Sequence, residues 1–139
     1  MTTTIDAPDT ARVLADKLIT FLETGQAPEG LFAPDAFVDF TPPRWRLQAQ
    51  GAENVVAARR ASHPHTGRVP RSRLDVTETG FLLEVEETWE AEGDQWSCRE
   101  LMRADVTDGS ISAISVYCTG DWDSARVAEH RAAVHLIQP

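Results

Sequence analysis

Residues 81–119 read as three alternating runs joined by two tight turns, and no other pattern constrains the fold of this chain as much. Phe81, Leu83, Val85, Glu87 and Trp89 alternate with Leu82, Glu84, Glu86, Thr88 and Glu90. A period of two with one acidic and one mostly apolar side describes a strand with one face on a core and the other in water. Gly93-Asp94 and Asp108-Gly109 are short turn pairs between such runs, a strong local hairpin signal. Counting back from the turns gives a register. Glu92 faces Gln95, which sets Glu87 opposite Glu100; Thr107 faces Ser110, which sets Glu100 opposite Tyr117. The inward partners are then Val106, Ala104, Met102, Glu100 and Cys98 on the middle run. On the last run they are Ile111, Ala113, Ser115, Tyr117, Thr119 and Asp121.

This register predicts a row of Glu87, Glu100 and Tyr117 on an apolar face, with neighbours about 5 Å apart. Two carboxylates that close repel, so one holds its proton to higher pH while the other stays ionised. A phenol beside them can donate a hydrogen bond to a carbonyl or a developing enolate. Glu100, in the middle, is the first candidate for acid/base work. Asp121 is inward by parity and is also a natural helix cap. His63, in a loop before Pro64, can serve as a base near neutral pH. These five are the candidate catalytic residues. Trp45, Arg46, Trp89 and Met102 are the candidate ligand-lining residues for an apolar small molecule. The competing reading pairs the carboxylates with an inward arginine such as Arg46 and leaves no chemistry.

The remaining elements follow from periodicity and punctuation. Residues 1–5 read as a loose leader. Asp6 or Asp9 can cap a helix to about residue 23, with Val13, Leu14, Leu18, Phe21 and Leu22 as its stripe and Gly25 as its stop. Residues 27–32 suggest a short helix and 36–40 a short strand ended by Pro42-Pro43. Residues 44–50 alternate as a strand with Trp45, Leu47 and Ala49 on one side. Residues 53–61 form a helix, 63–67 a loop, and 71–78 the first strand of an antiparallel meander. Asp121 or Asp123 caps a last helix to about residue 136. The order predicts one α+β domain over residues 1–139: a curved antiparallel sheet with helices on one face, a cone with a pocket inside.

The 139-residue chain carries a net charge of −9. With no basic stripe, phosphate backbones are poor partners, so no nucleic acid is expected. Arg59, Arg60, Arg68, Arg71 and Arg73 cluster around the middle loop, where pairing with the acidic strand faces accounts for them. No signal-peptide pattern and no run of about 20 apolar residues is present, so no membrane partner is expected. Cys98 inward and Cys118 outward predict two unpaired thiols, and the cytoplasm as compartment. His63 and His65 lack a third ligand nearby, and His130 and His135 do not share a helical face, so no metal is expected. No phosphate loop or nucleophile elbow occurs, and no cofactor is expected.

The segments Leu31-Phe32-Ala33-Pro34-Asp35-Ala36 and Asp108-Gly109-Ser110-Ile111, leading to Val116-Tyr117, together with the element order, resemble the NTF2-like superfamily and its SnoaL-like group. The resemblance spans nearly the whole chain from about residue 10. It implies a cone-shaped, often dimeric protein; relatives include ketosteroid isomerases, polyketide cyclases, limonene-epoxide hydrolases, dehydratases and non-catalytic modules. Thr119 stands where many relatives carry aspartate, and Val116 occupies the place of one aspartate of the epoxide-hydrolase relay. The expectation is a cofactor-independent isomerase, cyclase or dehydratase acting beside a carbonyl on a polyketide- or steroid-like substrate. The alternative is a non-catalytic ligand-binding or dimerisation module. By the same register Leu82, Leu101, Ile114, Val116 and Cys118 point outward, which predicts a homodimer through the outer sheet face.

Overall fold

The computed structural model describes residues 7–139, so the leader and Asp6 lie outside the described residues. The elements run α1 (Ala7–Thr24), β1 (Phe32–Thr41), β2 (Leu47–Gln50), α2 (Ala52–Ser62), β3 (Arg68–Val76), β4 (Gly80–Ala91), β5 (Asp94–Thr107), β6 (Ser110–Cys118) and α3 (Ser124–Ala133). The six strands form one sheet in the order β2-β1-β6-β5-β4-β3. Every pairing is antiparallel except β1 with β6, which is parallel, so the sheet is mixed where an antiparallel one was expected. Helix α1 lies against β3 and β4, and α2 against β1 and β2. The fold is α+β, with helices on the concave side of an open sheet.

The core fills the space between. Helix α1 contributes Ala11, Leu14, Ala15, Leu18, Phe21 and Leu22, a stripe at helical spacing. Val13, expected in that stripe, is 47% exposed. The sheet answers with Phe81, Leu83, Val85, Met102, Ala104, Ile111, Ile114 and Val116. Several expected boundaries move. Residues 27–32 form a turn leading into β1 and not a helix, and β1 is longer than its apolar centre suggests. Trp45 lies before β2, in a turn closed by its N–H on the Pro42 carbonyl, and is 70% exposed. Asp123 caps α3, accepting from the Arg126 N–H at 2.8 Å; Asp121 does not.

Two departures from the counted register decide which side chains face inward. In the first hairpin Ala91 pairs with Asp94, so the turn residues are Glu92 and Gly93, not Gly93 and Asp94. Both have positive φ, 54° and 73°, as a tight type I′ turn requires. The slip moves each cross-strand partner by two positions, and two positions preserve the face. Glu87 therefore stands opposite Cys98 and Glu100 opposite Val85, with both carboxylates still inward and now diagonal.

The second hairpin turns at Asp108-Gly109 as expected, with Thr107 opposite Ser110 and Val106 opposite Ile111. Asp105 then pairs with Ala113, so Ser112 is an extra residue in β6. Its hydroxyl donates to the Asp105 carbonyl at 3.2 Å and accepts from the Thr107 hydroxyl at 3.1 Å. A bulge of one residue exchanges the faces of everything beyond it. Tyr117 now opposes Leu101 on the outer face and is 59% exposed, while Cys118 opposes Glu100 on the inner face. Ile114 and Val116 are buried in the core. The expected outward row thus loses Ile114, Val116 and Cys118, and the outer face keeps Leu82 and Leu101 and gains Tyr117, among charged neighbours. The bulge predicts that Ile114→Ala costs about 2–5 kcal/mol and Tyr117→Ala about 0.5 kcal/mol. Urea unfolding of the two variants checks this; the opposite ranking would put the counted register back.

Candidate functional site

Two strands and two helices bring one cation to two buried acids. Arg59 follows Val55 by four residues on α2, so both point from the same helical face toward the sheet; Val55 is buried and the Arg59 side chain is 13% exposed. The guanidinium holds Glu87 through both oxygens, Nη2 to Oε1 at 2.5 Å and Nη1 to Oε2 at 3.2 Å. Nη2 also donates to the Leu22 carbonyl at 3.1 Å, in the last turn of α1 where the helix dipole favours positive charge. Glu100 stands off from the same guanidinium, its Oε1 3.6 Å from Nη1, with no hydrogen-bond partner for that oxygen among the described residues.

The two carboxyls separate in acidity. Desolvation, the neighbouring Glu87 hydrogen bond and its charge push Glu100 well above the ordinary carboxyl value, with Arg59 opposing. Desolvation also raises Glu87, but hydrogen bonds from Glu100 and Arg59, together with the Arg59 charge, outweigh it and hold Glu87 below the ordinary value. The opposite shifts favour a neutral acid on Glu100 beside a carboxylate on Glu87 and the Arg59 guanidinium. One proton and one cation serve two carboxyls, the arrangement that avoids a net buried charge.

Glu100 forms part of the wall of a partly open cavity of about 50 Å³. Apart from Arg59, Glu100 and the exposed Ser62, the lining is apolar: Phe21, Phe32, Val38, Phe40, Val55 and Met102 are typical. Met102 is thus where a ligand-lining residue was expected. Trp89 is buried instead beneath His63, ring centroids 4.4 Å apart in an edge contact. His63 is half-buried at the end of α2; desolvation and the Arg59 charge lower its pKa to about 4, so it is a neutral imidazole at physiological pH. A surface cleft holds His63, His65, Trp89, Trp96 and Asp121 together. Tyr117 is on the other face of the sheet. Arg46 is at the surface, where its Nε and Nη2 bind Asp39 at 2.9 and 2.6 Å. The arginine that meets the inward acids is therefore Arg59 and not Arg46.

Arg59 and Cys118 were missed as site residues. Arg59 sat within a basic cluster that surface pairing explained, and part of that cluster does pair there, Arg71 with Glu86 at 3.9 Å and Arg73 with Asp75 at 3.2 Å. The four-residue step from Val55 was the available signal. Cys98 and Cys118 are both free, yet they face the same side, so the reason given for their not bonding is overturned.

No family model matches the chain, and no curated protein does. Solved structures do. An NTF2-like protein from Anabaena variabilis superposes with a TM-score of 0.68 at 17% identity, covering 87% of this chain and 96% of that one. The chain has the NTF2-like fold. A protein from Xanthomonas campestris, provisionally assigned as a polyketide cyclase, gives a TM-score of 0.65 at 15% identity over 81% of this chain and 92% of its own. An LEH-like epoxide hydrolase of M. tuberculosis gives 0.61 at 12% identity, over 78% and 82%. Identities this low carry the fold and not the reaction. Among the described residues no helix is long and apolar enough to cross a membrane.

Two outcomes follow from the charge arrangement. Arg59→Leu strands an ionised Glu87 in the core and costs about 3–5 kcal/mol, whereas Arg59→Leu combined with Glu87→Leu recovers most of that loss in urea unfolding. A carboxyl with a raised folded pKa binds its proton more tightly in the folded chain than in the unfolded one. Its contribution is intact below the ordinary value of 4.5 and is lost as pH rises through the folded pKa. Glu100→Gln removes that loss, so its stability relative to the parent increases with pH above 4.5; a pH-independent difference would show that Glu100 titrates normally.

Proposed function

We propose that the cone binds a small, largely apolar carbonyl compound and that Glu100 moves its proton, making the chain a cofactor-independent isomerase, cyclase or dehydratase. The observation that carries this is the unpartnered Glu100 oxygen in the wall of an apolar cavity. A buried polar atom without a hydrogen bond costs about 1–3 kcal/mol, and a ligand with a polar atom at that point removes the cost. Desolvation and the neighbouring Glu87 raise the Glu100 pKa, which favours the acid form that can donate to a substrate oxygen. The carboxylate left behind lies 3.6 Å from Arg59, which limits the cost of the transient charge. That carboxylate then accepts the proton from the carbon next to the carbonyl, giving the enol and restoring the acid. Glu87, fixed by Arg59, keeps Glu100 weakly acidic throughout.

Tyr117 takes no part in this scheme, since it lies on the far side of the sheet. His63 and Asp121 belong to the neighbouring cleft and not to the cavity lining. The cavity volume supports a smaller ligand than a polycycle: about 50 Å³ falls well below the roughly 300 Å³ at which drug-sized sites begin. A short chain of a few heavy atoms is the better fit, since a cavity of about 150 Å³ is what holds a benzene ring. The non-catalytic reading draws on one observation as well, the full pairing of Glu87 with Arg59, which serves a binding module equally.

Exchange of solvent deuterium into the carbon beside the carbonyl of small acyclic ketones such as acetone, followed by NMR, separates the two readings. The parent chain should catalyse the exchange, and Glu100→Gln should lose about 10²- to 10⁴-fold with its fold intact. Ketones that shift the protein's resonances without exchanging would leave the binding module standing.

A further inference from the structure

We infer that Cys98, Cys118 and Asp121 form a binding site for a thiophilic divalent cation such as Zn²⁺, at the end of the sheet next to the acid pair. Their ligand atoms, two Sγ and a carboxylate oxygen, all lie within 4.8 Å of one another. The backbone enforces the grouping. Thr119 N–H donates to the Arg99 carbonyl at 3.0 Å, and Ser97 and Trp122 exchange both of their bonds at 2.9 and 2.8 Å. Between these fixed pairs Cys98 occupies one strand, and Gly120 and Asp121 together occupy the facing segment. Gly120 has φ 88° and its N–H points at the Cys118 sulfur, 3.4 Å away. The loop therefore carries Asp121 back over Cys98, while the Ser112 bulge turns Cys118 to the same side.

A neighbouring group of donors shares Cys98. Glu100 stands directly opposite Cys118 in the ladder, its side chain is 3% exposed, and its Oε1 lacks a hydrogen-bond partner. It also falls in a second group with Glu87 and Cys98 whose ligand atoms lie within 4.8 Å of each other. Two thiols and a carboxylate supply three ligands, and water takes the fourth position. Tetrahedral zinc with sulfur at about 2.3 Å and oxygen at about 2.0 Å spaces its ligand atoms about 3.3–3.8 Å apart. The present grouping, within 4.8 Å, closes to that by small side-chain rotations of the three residues, of which Asp121 is exposed. Binding releases the two thiol protons to solvent and leaves two thiolates on the metal. Soft sulfur ligands select zinc-like ions over magnesium or calcium. Asp121 also lines the surface cleft that holds His63 and His65, so this ligand is open to solvent.

Cobalt(II) tests this with a spectrum and without reference to proton transfer, so its failure and that of the proposed reaction are distinct. The full chain is reduced, stripped with a chelator and titrated with Co²⁺. The expected result is one Co²⁺ per chain, a thiolate-to-cobalt charge-transfer band in the near ultraviolet, and bleaching on addition of Zn²⁺. Asp121→Asn, a surface change that leaves the core alone, should weaken Co²⁺ binding by about tenfold or more. Cys118→Ser should abolish the band while its circular dichroism matches the parent. Zn²⁺ should also slow alkylation of the thiols in the parent chain. Absence of the band at millimolar Co²⁺, or a band that survives Cys118→Ser, would overturn the assignment.

Discussion

The interior of this cone is governed by one guanidinium set against two carboxyls. Burying an ion pair is roughly neutral in free energy when geometry is good, and burying a third charge beside it is not. Arg59 satisfies Glu87 through two hydrogen bonds, and Glu100 receives a 3.6 Å approach. A proton on Glu100 is the least costly way to complete the balance. The surroundings follow from that choice. An apolar lining strengthens the separation of the two acidities, because low polarity magnifies each interaction. The neutral His63 beside Trp89 belongs to the same field, since the Arg59 charge is one of the causes that keep it unprotonated.

Much of the fold was legible because strands and helices advertise themselves by period. The alternation from Phe81 to Glu90 set the inner and outer faces of β4, and the stripe Leu14, Leu18, Phe21, Leu22 set the buried side of α1. The inward placement of Glu87 and Glu100 survived a misplaced turn because the error was two residues. Glu92 in a left-handed turn position is uncommon for a residue with a side chain, which hid the true turn. The outward placement of Ile114 and Val116 did not survive, because the bulge shifts the count by one. A signal for it was present. From Ile111 the next large apolar residue is Ile114, a step of three, followed by Val116 at a step of two. An odd step within an alternating run is what an extra residue produces, and Ser112 in between can bond its own hydroxyl across the irregularity.

Arg59 was harder to read, for a different reason. Helix 52–62 has one fully buried residue, Val55, so its inward face is short and its period weak. The side chain is long enough to reach the sheet, and an arginine stem can lie along apolar surface while its head finds a carboxylate. Which carboxylate it meets depends on how α2 sits over β4, a tertiary fact that local spacing does not contain. Low identity to structures of the same fold, 12–17% among those described, has the same consequence. The cone is shared, while the groups lining it must be argued from this chain.

The bulge therefore settles the kind of chemistry open to the site. Without Ser112 as an extra residue, β6 would present Tyr117 to Glu100, and the inner face would carry two acids and a phenol suited to holding an oxyanion. With it, the phenol goes to solvent and the Cys118 thiol takes the place opposite Glu100. The inner face then carries Glu87, Glu100, Cys98 and Cys118 with Asp121 at its edge, all groups that become negative when they lose a proton, against the single guanidinium of Arg59. Such a surplus is relieved in two ways, by keeping protons or by accepting a cation. Near Arg59 the site keeps one proton on Glu100, which makes an acid. Toward Asp121 the guanidinium is no longer in contact and sulfur dominates the donor set, which favours a soft metal ion over a proton. A one-residue insertion in one strand thus places both possibilities side by side, and the distance from Arg59 divides them.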